Sequence, residues 1–392
     1  MAIAFGQPIS TILSYPPELI SLVHLKDLTN KVLLYPDPPI GQEELALLTT
    51  LRPDLMFTTP ALLPLVSKAG KVERLKDLKV AISLSETGQV SGFQDRYIQD
   101  LMVELTRYLL VSGCSLIYSG NINYSTASNR EQEGEYSQKR FNFAQLFIEL
   151  IETYRYDYQD KNEIKAVSNY SAYPLYTQIS TSEEARLKRI VDFISVPPPT
   201  NLKIPSEGEK ALKVATAIRI GDSFRDKYVW AKSLSAMRKE MMQACDVLLV
   251  LGGKGLNFKG KLPGVLEETL LALQDQKPLF LIGGYGGVAA DVIEALQGRQ
   301  PDSWTNDYFH QYAPTYLSFL KDFNQHPLTL EQERVDYSVI TTLLNQHGQS
   351  HSSYGLYNGL SKEENDCLFK SHNEIEIISL VLKGLNNINT QS

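Results

Sequence analysis

Residues 237–268 read MRKEMMQACDVLLVLGGKGLNFKGKLPGVLEE, and the order of elements that they predict determines the fold class. A predicted helix at 235–244 is followed by an apolar strand at 246–251. The glycine pair 252–253 forms the loop after that strand, and a second helix is predicted at 263–274. A buried strand that lies between helices and ends in a glycine loop is typical of α/β proteins with a parallel sheet.

Short apolar runs alternate with amphipathic stretches elsewhere in the chain. This alternation predicts further strands at 79–84, 115–118 and 278–282, and further helices at 97–112, 143–154 and 288–296. We expect a Rossmann-like, doubly wound α/β fold with a mostly parallel sheet. In such sheets ligands bind outside the carboxyl ends of the strands, so the Ser- and Gly-rich loops should meet at one place.

Two segments lie outside this regular alternation in the first 300 residues. Residues 1–74 predict a small N-terminal α/β segment, with strands at 32–35 and 55–57 around a helix at 43–51. The main domain is expected at 75–298, and prolines and charges between 180 and 225 predict an insertion within it.

The C-terminal part, 299–392, is expected to be a polar, loop-rich region through Ser353, followed by helices that pack on the main domain. Ser361 and Glu364 have the spacing of a capping box and predict the start of a helix. A last helix should end at Gly384, because glycine commonly stops helices.

Composition excludes several classes of protein. The net charge is −7 and the pI is about 5.5, which argues against nucleic acid as a partner because phosphate binding needs clustered Lys and Arg. The three cysteines form no CxxC pair, and the six histidines lie outside the predicted loops, so we expect neither a disulfide framework nor a metal site. No apolar run is long enough to span a bilayer, so we expect a cytoplasmic protein with no membrane association.

The loop between the strand at 246–251 and the next helix predicts an anion site. Glycines let backbone amides approach a ligand, and a helix that opens at Pro263 presents free N–H groups. Arg238 and Lys254 would add positive charge. The alternative is that the glycines are simple turn residues and that Glu267 and Glu268 only stabilise the helix N-terminus.

Other candidates also have two interpretations. Ser83 and Ser85 could donate to a phosphate or could cap a helix. Tyr285 could stack on a base, or it could be an exposed loop aromatic. Tyr173 and Trp230 could flank a base, or they could belong to the core.

Several segments together resemble the SLOG superfamily of Rossmann-like nucleotide-binding and nucleotide-processing domains. They are AMRKEMMQACDVLLVLGGKG (236–255), PGVLEE (263–268), KVAISLSE (79–86), LIYSGN (116–121) and KPLFLIGGYGG (277–287). The resemblance is closest to TIR- and Sir2-associated SLOG domains and to the related region of TRPM channels, and more distant to the lonely-guy phosphoribohydrolases. Residues 1–74 resemble the linker or edge that accompanies a TIR domain.

This resemblance implies a sensor that binds an NAD- or ADP-ribose-derived nucleotide without consuming it. The implied ligand-binding residues are Ser83, Ser85, Glu86, Gly120, Asn121, Arg238, Gly252, Gly253, Lys254, Gly264, Glu267, Glu268, Gly284 and Tyr285. In the lonely-guy enzymes the catalytic glutamate follows the glycine pair within a few residues, whereas residues 254–264 intervene here. The alternative is a nucleotide-processing N-glycosidase in which Arg238, Glu267 and Glu268 are catalytic, and a third possibility is a vestigial cleft.

By the same resemblance, the sensor would act with a TIR or Sir2 NADase in prokaryotic antiviral defence and would form a homo-oligomer. No cofactor is expected beyond the nucleotide ligand. Arg238 is expected to face that ligand and to be partly exposed, so that reversing its charge would abolish binding with little loss of stability.

Overall fold

The computed structural model describes residues 31–34, 50, 55–66, 74–75, 78–85, 92–119, 167–178, 184–185, 187–188, 191–202 and 223–390. The strands within these residues are β1 (Lys31–Leu34), β2 (Leu55–Thr58), β3 (Lys79–Ser85), β4 (Ser115–Ser119), β5 (Val167–Ala172), β6 (Val191–Val196), β7 (Val247–Gly252) and β8 (Leu279–Ile282). The α-helices are α1 (Gly92–Val111), α2 (Phe224–Ala244), α3 (Gly264–Gln274), α4 (Val288–Leu296), α5 (Asn306–Tyr312), α6 (Pro314–Gln325), α7 (Tyr337–Ser350), α8 (Lys362–Lys370) and α9 (Glu374–Asn389).

Strands β3 to β8 form one six-stranded sheet, with the strand order β6-β5-β4-β3-β7-β8. All neighbouring strands in it are parallel. From β3 the chain adds strands on one side as far as β6, then returns to place β7 on the other side of β3. The predicted Rossmann-like, doubly wound α/β fold is therefore confirmed, and its topological switch point lies between β3 and β7. Strands β1 and β2 pair in parallel in a separate two-stranded sheet.

Helices cover both faces of the large sheet, which explains the continuous apolar runs of its central strands. Every residue of β7 is buried. Along β3, Val80 and Ile82 face a core that includes α1 and α9, whereas Ala81 faces a core that includes α2, α3 and α4. The sheet is thus the middle layer of three.

Polar caps begin several of the helices at the positions that the sequence supplies. The Ser223 side chain accepts a hydrogen bond from the Asp226 backbone N–H, 3.2 Å away, at the start of α2. The predicted capping box of Ser361 and Glu364 is confirmed at the start of α8. Each cap satisfies backbone groups that a helix end otherwise leaves unpaired.

Two strands were missed by the sequence interpretation. β5 reads VSNYSA, and its polar residues do not give the apolar pattern of a buried strand. β6 lies inside the stretch at 180–225 that was interpreted as an insertion. The interpretation of that stretch was therefore wrong for β6, which is an edge strand of the sheet. Helix α2 also begins at Phe224, well before the predicted start at 235.

The expectation of a loop-rich region through Ser353 was wrong, because α5, α6 and α7 occupy much of it. The predicted stop at Gly384 was also wrong. Helix α9 continues to Asn389, and a Cβ atom on Gly384 would lie 2.4 Å from the Asn358 backbone oxygen and 2.6 Å from the Phe280 ring. Glycine at position 384 allows α9 to pack closely against Asn358 and Phe280. The last helix does dock on the body, as predicted, with Ile378 and Leu382 in the core.

Some predictions lie outside the described residues. These are the helix at 143–154 and, apart from Thr50, the helix at 43–51. In the described part of the chain, no helix combines the length and the apolar character that crossing a membrane requires.

Candidate functional site

A cavity of about 290 Å³ lies at the carboxyl ends of the sheet strands. Its described lining residues are Ser83, Leu84, Ser85, Ser119, Tyr170, Ser171, Ala172, Leu175, Leu234, Met237, Arg238, Lys254, Asn257, Phe258, Lys259, Gly264, Val265 and Glu268. They come from the ends of β3, β4 and β5, from α2, from the loop after β7, and from the start of α3. The cavity therefore lies beside the switch point, where this topology places ligands.

The strand register places Ser85 of β3 beside the loop that follows β7. Ser85 of β3 pairs with Gly252 of β7. Beyond this pair, the Ser85 backbone oxygen accepts from Gly253 N–H at 3.0 Å, and its side chain accepts from Lys254 N–H, also at 3.0 Å. Ser85 thereby fixes the path of the chain where it leaves β7 and enters the loop that lines the cavity.

Arg238 lies between the two carboxylates of α3. Its Nη1 donates a short hydrogen bond to Glu267 Oε2, and its Nε lies 3.5 Å from Glu268 Oε1. Ser235 Oγ also donates to Glu267 Oε1 at 2.5 Å. All three charged side chains are buried, and of the two carboxylates Glu268 is the one that lines the cavity.

Glu268 is held in surroundings that disfavour its charge. Burial raises the pKa of its carboxyl group above the ordinary value; Arg238 and hydrogen bonding with Ser119 oppose that rise, and the Glu267 charge adds to it. Ser119 Oγ lies 3.4 Å from Glu268 Oε1. A buried carboxyl group with a raised pKa in a cavity can accept hydrogen bonds when ionised or donate one when protonated.

The N-terminal turn of α3 also faces the cavity, through Gly264 and Val265. Pro263 precedes it and provides no side-chain cap. The first-turn N–H groups of a helix have no intrahelical partner and carry partial positive charge, so they suit an anionic group. A Cβ on Gly264 would lie 2.8 Å from Arg238 Nη2, so glycine at this position makes room for the guanidinium.

The loop at 254–262 is held from outside by the C-terminal helices. Tyr316 of α6 donates from its hydroxyl to the Lys261 backbone oxygen at 2.7 Å, and its ring lies 4.8 Å from the Phe258 ring. Lys261 Nζ in turn lies 3.6 Å from Glu267 Oε1 and 3.3 Å from the Glu333 backbone oxygen. Contacts therefore run from α6 through Lys261 to the paired carboxylates.

A comparison with protein families now gives this geometry a context. A model of the family described as SLOG cluster2 matches residues 74–368, about three-quarters of the chain. The chain belongs to the SLOG superfamily. Membership implies a nucleotide-related function. None of the curated proteins compared with the chain matches it.

The SLOG match extends past the boundary at 298 that the sequence suggested and includes α5, α6 and α7. Tyr316 of α6 contacts the loop at 254–262, and all three helices share one hydrophobic cluster with α2, α3 and α4. The described C-terminal helices thus pack on the core of the α/β domain rather than apart from it.

Many of the predicted site residues of this SLOG domain lie together. Those that line the cavity are Ser83, Ser85, Arg238, Lys254, Gly264 and Glu268. Glu267 lies behind them and pairs with Arg238. Gly252 and Gly253 shape the loop with φ values of 64° and 103°, and a Cβ on Gly253 would lie 2.9 Å from Val265. Glu86, Gly120 and Asn121 lie outside the described residues.

Gly284 and Tyr285 are not among the described residues that line the cavity. Gly284 packs against the Ser371 backbone oxygen, and a Cβ atom on residue 284 would lie only 2.2 Å from that oxygen. Tyr285 is buried in the core that includes α1 and α9, and its hydroxyl donates to the His372 backbone oxygen at 3.3 Å. The predictions that Tyr285 stacks on a base or is an exposed loop aromatic were both wrong, because the loop after β8 turns against the segment that joins α8 to α9.

Several other residues line the same cavity, and the sequence analysis did not name them. They are Ser119, Tyr170, Ser171, Asn257, Phe258 and Lys259 among others. Ser119 directly precedes Gly120 and Asn121, which the sequence analysis did name, and Lys259 lies in the loop after β7, so both could have been found from their positions. Tyr170 and Ser171 belong to the missed strand β5. Among the described residues, no cluster of His, Cys, Asp or Glu could hold a metal ion.

Proposed function

We propose that the cavity binds a nucleotide derived from NAD or ADP-ribose and that the protein senses this ligand without consuming it. The main support for this proposal is the combination of groups in one cavity. The cavity has a buried carboxylate, Glu268, the N-terminal turn of α3, and two lysines, Lys254 and Lys259. Carboxylates accept hydrogen bonds from ribose hydroxyls, whereas helix N-termini and lysines favour phosphates. A nucleotide offers both partners.

The charges support an anionic ligand. Arg238 is already engaged by Glu267 and Glu268, so its positive charge compensates theirs instead of adding to the cavity. Lys254 and Lys259 also line the cavity and bring positive charge to it. We therefore assign phosphate recognition to the lysines and the α3 terminus, and assign Arg238 the role of holding the carboxylates.

The contacts of the loop at 254–262 support sensing. Phe258 lines the cavity and also lies against Tyr316 of α6, so a ligand that moves this residue acts directly on the C-terminal helices. We propose that these helices pass the signal to a TIR or Sir2 NADase in prokaryotic antiviral defence, in the cytoplasm and within a homo-oligomer. This context rests on the resemblance of the sequence segments to SLOG domains of such systems.

An N-glycosidase is the second candidate, and the position of Glu268 favours it. Its carboxyl group lines the cavity, has a raised pKa and lies near Ser83 and Ser119. Such a group could take part in proton transfer to a leaving base, or could stabilise positive charge on the ribose. The two candidates differ in whether the ligand survives.

The deciding experiment measures binding and breakdown in the same samples. The protein is incubated with NAD, ADP-ribose, cyclic ADP-ribose isomers and nucleoside monophosphates, and thermal unfolding is followed together with chromatography of the ligand. A ligand at about 100 times its Kd should add roughly 2.7 kcal/mol to stability. Stabilisation with intact ligand supports the sensor, whereas base release that Glu268→Gln abolishes supports the enzyme. No stabilisation by any of these compounds would overturn both.

Matched variants locate the binding. Lys259 and Lys321 are both exposed lysines, but only Lys259 is among the described cavity residues. We expect Lys259→Ala to weaken binding about tenfold, which corresponds to roughly 1.4 kcal/mol. Lys321→Ala should leave the affinity unchanged. Equal effects of the two substitutions would mean that the ligand binds through general charge attraction, outside this cavity.

A further inference from the structure

A second cavity lies among the C-terminal helices, on a different part of the molecule from the nucleotide cavity. Its volume is about 460 Å³, and its described lining comes from α5, α6, α7 and the segments that precede α5 and α7. This volume lies within the range of small-molecule sites, roughly 300–1,000 Å³. The two cavities share no described lining residue.

Aromatic and aliphatic side chains form one part of the lining of this second cavity, and its other part is polar. The ring centroids of Trp304 and Phe309 lie 5.9 Å and 4.8 Å from that of Tyr337. Leu320 and Val335 also belong to the apolar part. All five side chains are buried in the fold, so the rings are held in place before any ligand arrives. A rigid group of aromatic rings lowers the entropy cost of binding.

The charge at this cavity is negative. Among its described lining residues, Asp336 alone is charged. Asp336 caps α7, and its Oδ1 accepts from Ser338 N–H, Ser338 Oγ and Val339 N–H at 2.9, 2.6 and 3.4 Å. Within the described part of the chain these bonds all go to Oδ1, which leaves Oδ2 available to a ligand. The capping bonds also fix the carboxylate in position.

A second carboxylate lies behind the rings. Asp291 of α4 accepts a hydrogen bond from Ser303 Oγ at 2.8 Å and lies close enough to Trp304 for that side chain to influence its pKa. Among aromatic side chains, Trp binds cations best through its face.

We propose that this second cavity is a binding site for a small organic cation, an ammonium group carried on an aromatic or apolar body. The body would lie against the cavity wall that Trp304, Phe309 and Tyr337 form, and the ammonium group would contact Asp336. An anion would be repelled by Asp336, and a neutral analogue would lose the contact with the carboxylate. The site is independent of the nucleotide proposed for the first cavity.

The two tryptophans of the chain make this proposal directly measurable. Trp304 lines the second cavity, whereas Trp230 lies on α2 near the first, with Lys259 Nζ 5.3 Å from its ring centroid. In a Trp230→Phe protein, fluorescence excited at about 295 nm therefore reports on Trp304 alone. The probes are phenethylammonium, its neutral analogue 2-phenylethanol and its anionic analogue phenylacetate, titrated at constant ionic strength.

We expect phenethylammonium to change the Trp304 emission with saturation, and to bind at least fivefold more tightly than 2-phenylethanol. Phenylacetate should produce no saturable change. Equal affinities of the cation and the neutral probe would overturn the proposal, and so would the lack of a saturable response to any probe in the folded protein. Neither result depends on whether a nucleotide binds elsewhere.

The role of Asp336 is tested by two substitutions, and each of them removes one negative charge. Asp336→Asn keeps a good helix cap, since Asn and Asp are similar at this position, so the protein should fold. It should weaken the cation about five- to tenfold and leave 2-phenylethanol unaffected. Asp307→Asn removes an exposed charge on α5, outside the described lining, and should change neither affinity by more than about twofold. Equal losses in the two variants would assign the effect to overall charge and contradict the proposal.

Discussion

Arg238 and Glu267 form an ion pair inside the protein, with less than a tenth of either side chain exposed. Glu268 lies on the same guanidinium, 3.5 Å from Nε. The sequence pattern placed Arg238 in the site, and Arg238 does line the cavity, but the prediction that its side chain is partly exposed was wrong. A buried arginine between two carboxylates stabilises charges that would otherwise be isolated in the protein interior.

Removing the Arg238 charge should therefore destabilise the fold. We expect Arg238→Met to lower the free energy of unfolding by about 3–5 kcal/mol, because it leaves two buried carboxylates without their partner. Lys239→Met, at the exposed neighbouring position on α2, is the control and should change stability by less than about 0.5 kcal/mol. Urea unfolding measures both. A loss below about 1 kcal/mol for Arg238→Met would show that the pair is not needed for folding.

Glu268 should make stability depend on pH. Burial, the largest influence, raises its pKa from the ordinary 4.5, so the folded protein holds this proton more tightly than the unfolded chain. The stabilising contribution of the protonated group is fully present below about 4.5 and is lost as the pH rises through the raised pKa. Glu268→Gln cannot lose a proton. Its stability relative to the parent protein should therefore increase as the pH rises above 4.5.

Urea unfolding across pH 4 to 8 tests this dependence. Glu240→Gln is a suitable control, since Glu240 is exposed on α2. The difference between the Glu240 variant and the parent should stay nearly constant across the range. If the difference for Glu268→Gln is equally constant, Glu268 titrates at the same pH in the folded and unfolded chain, and the cavity does not perturb it.

Gly284 should matter for packing and not for the cavity at the strand ends. A Cβ there would lie 2.2 Å from the Ser371 backbone oxygen, which is a fixed group. Gly284→Ala should destabilise the protein by roughly 1–3 kcal/mol, since overpacking forces the backbone to move. Gly255→Ala is the control, because no atom lies within 4 Å of its Cβ position. Ligand affinity that falls in the Gly284 variant without a loss of stability would return Gly284 to the binding site.

Local sequence identified the elements whose burial is visible in their own residues. Strand β7 is apolar throughout and was found, whereas β5 buries serine, asparagine and tyrosine and carries no such signal. Helices α5 to α7 were missed because many of their residues are exposed and polar. Their place in the fold follows from contacts with α2 and α4 that are distant in sequence, which a local pattern does not contain.

In the candidate site, too, local sequence identified some residues correctly and misplaced others. Arg238, Gly264 and Glu268 were predicted together because the helix-strand-loop-helix order brings them to one edge of the sheet. Tyr285 follows a strand in the same way, yet it packs on the other face, against His372. Which way a loop turns after its strand depends on the helices it meets, and here these are formed from the chain about 85 residues later.

Tyr316 should control the order of the loop at 254–262. Its hydroxyl donates to the Lys261 backbone oxygen at 2.7 Å and accepts from the Tyr337 hydroxyl at 3.1 Å. Tyr316→Phe keeps the ring contact with Phe258 but leaves both groups without this partner, at a cost of roughly 1–3 kcal/mol. Lys261 would then be held less firmly near Glu267. Tyr312→Phe, on the more exposed α5, should cost almost nothing.

Hydrogen exchange distinguishes control of the loop from a general loss of stability. In Tyr316→Phe, amides of the loop that includes Lys261 should exchange faster than in the parent, while amides of β7 should change only by the global loss. The Tyr312→Phe protein should match the parent in both regions. If β7 and the loop lose protection equally, Tyr316 contributes to overall stability alone. If the loop responds selectively, a side chain of the C-terminal helices sets the order of the segment that carries Phe258 and Lys259 to the cavity at the strand ends.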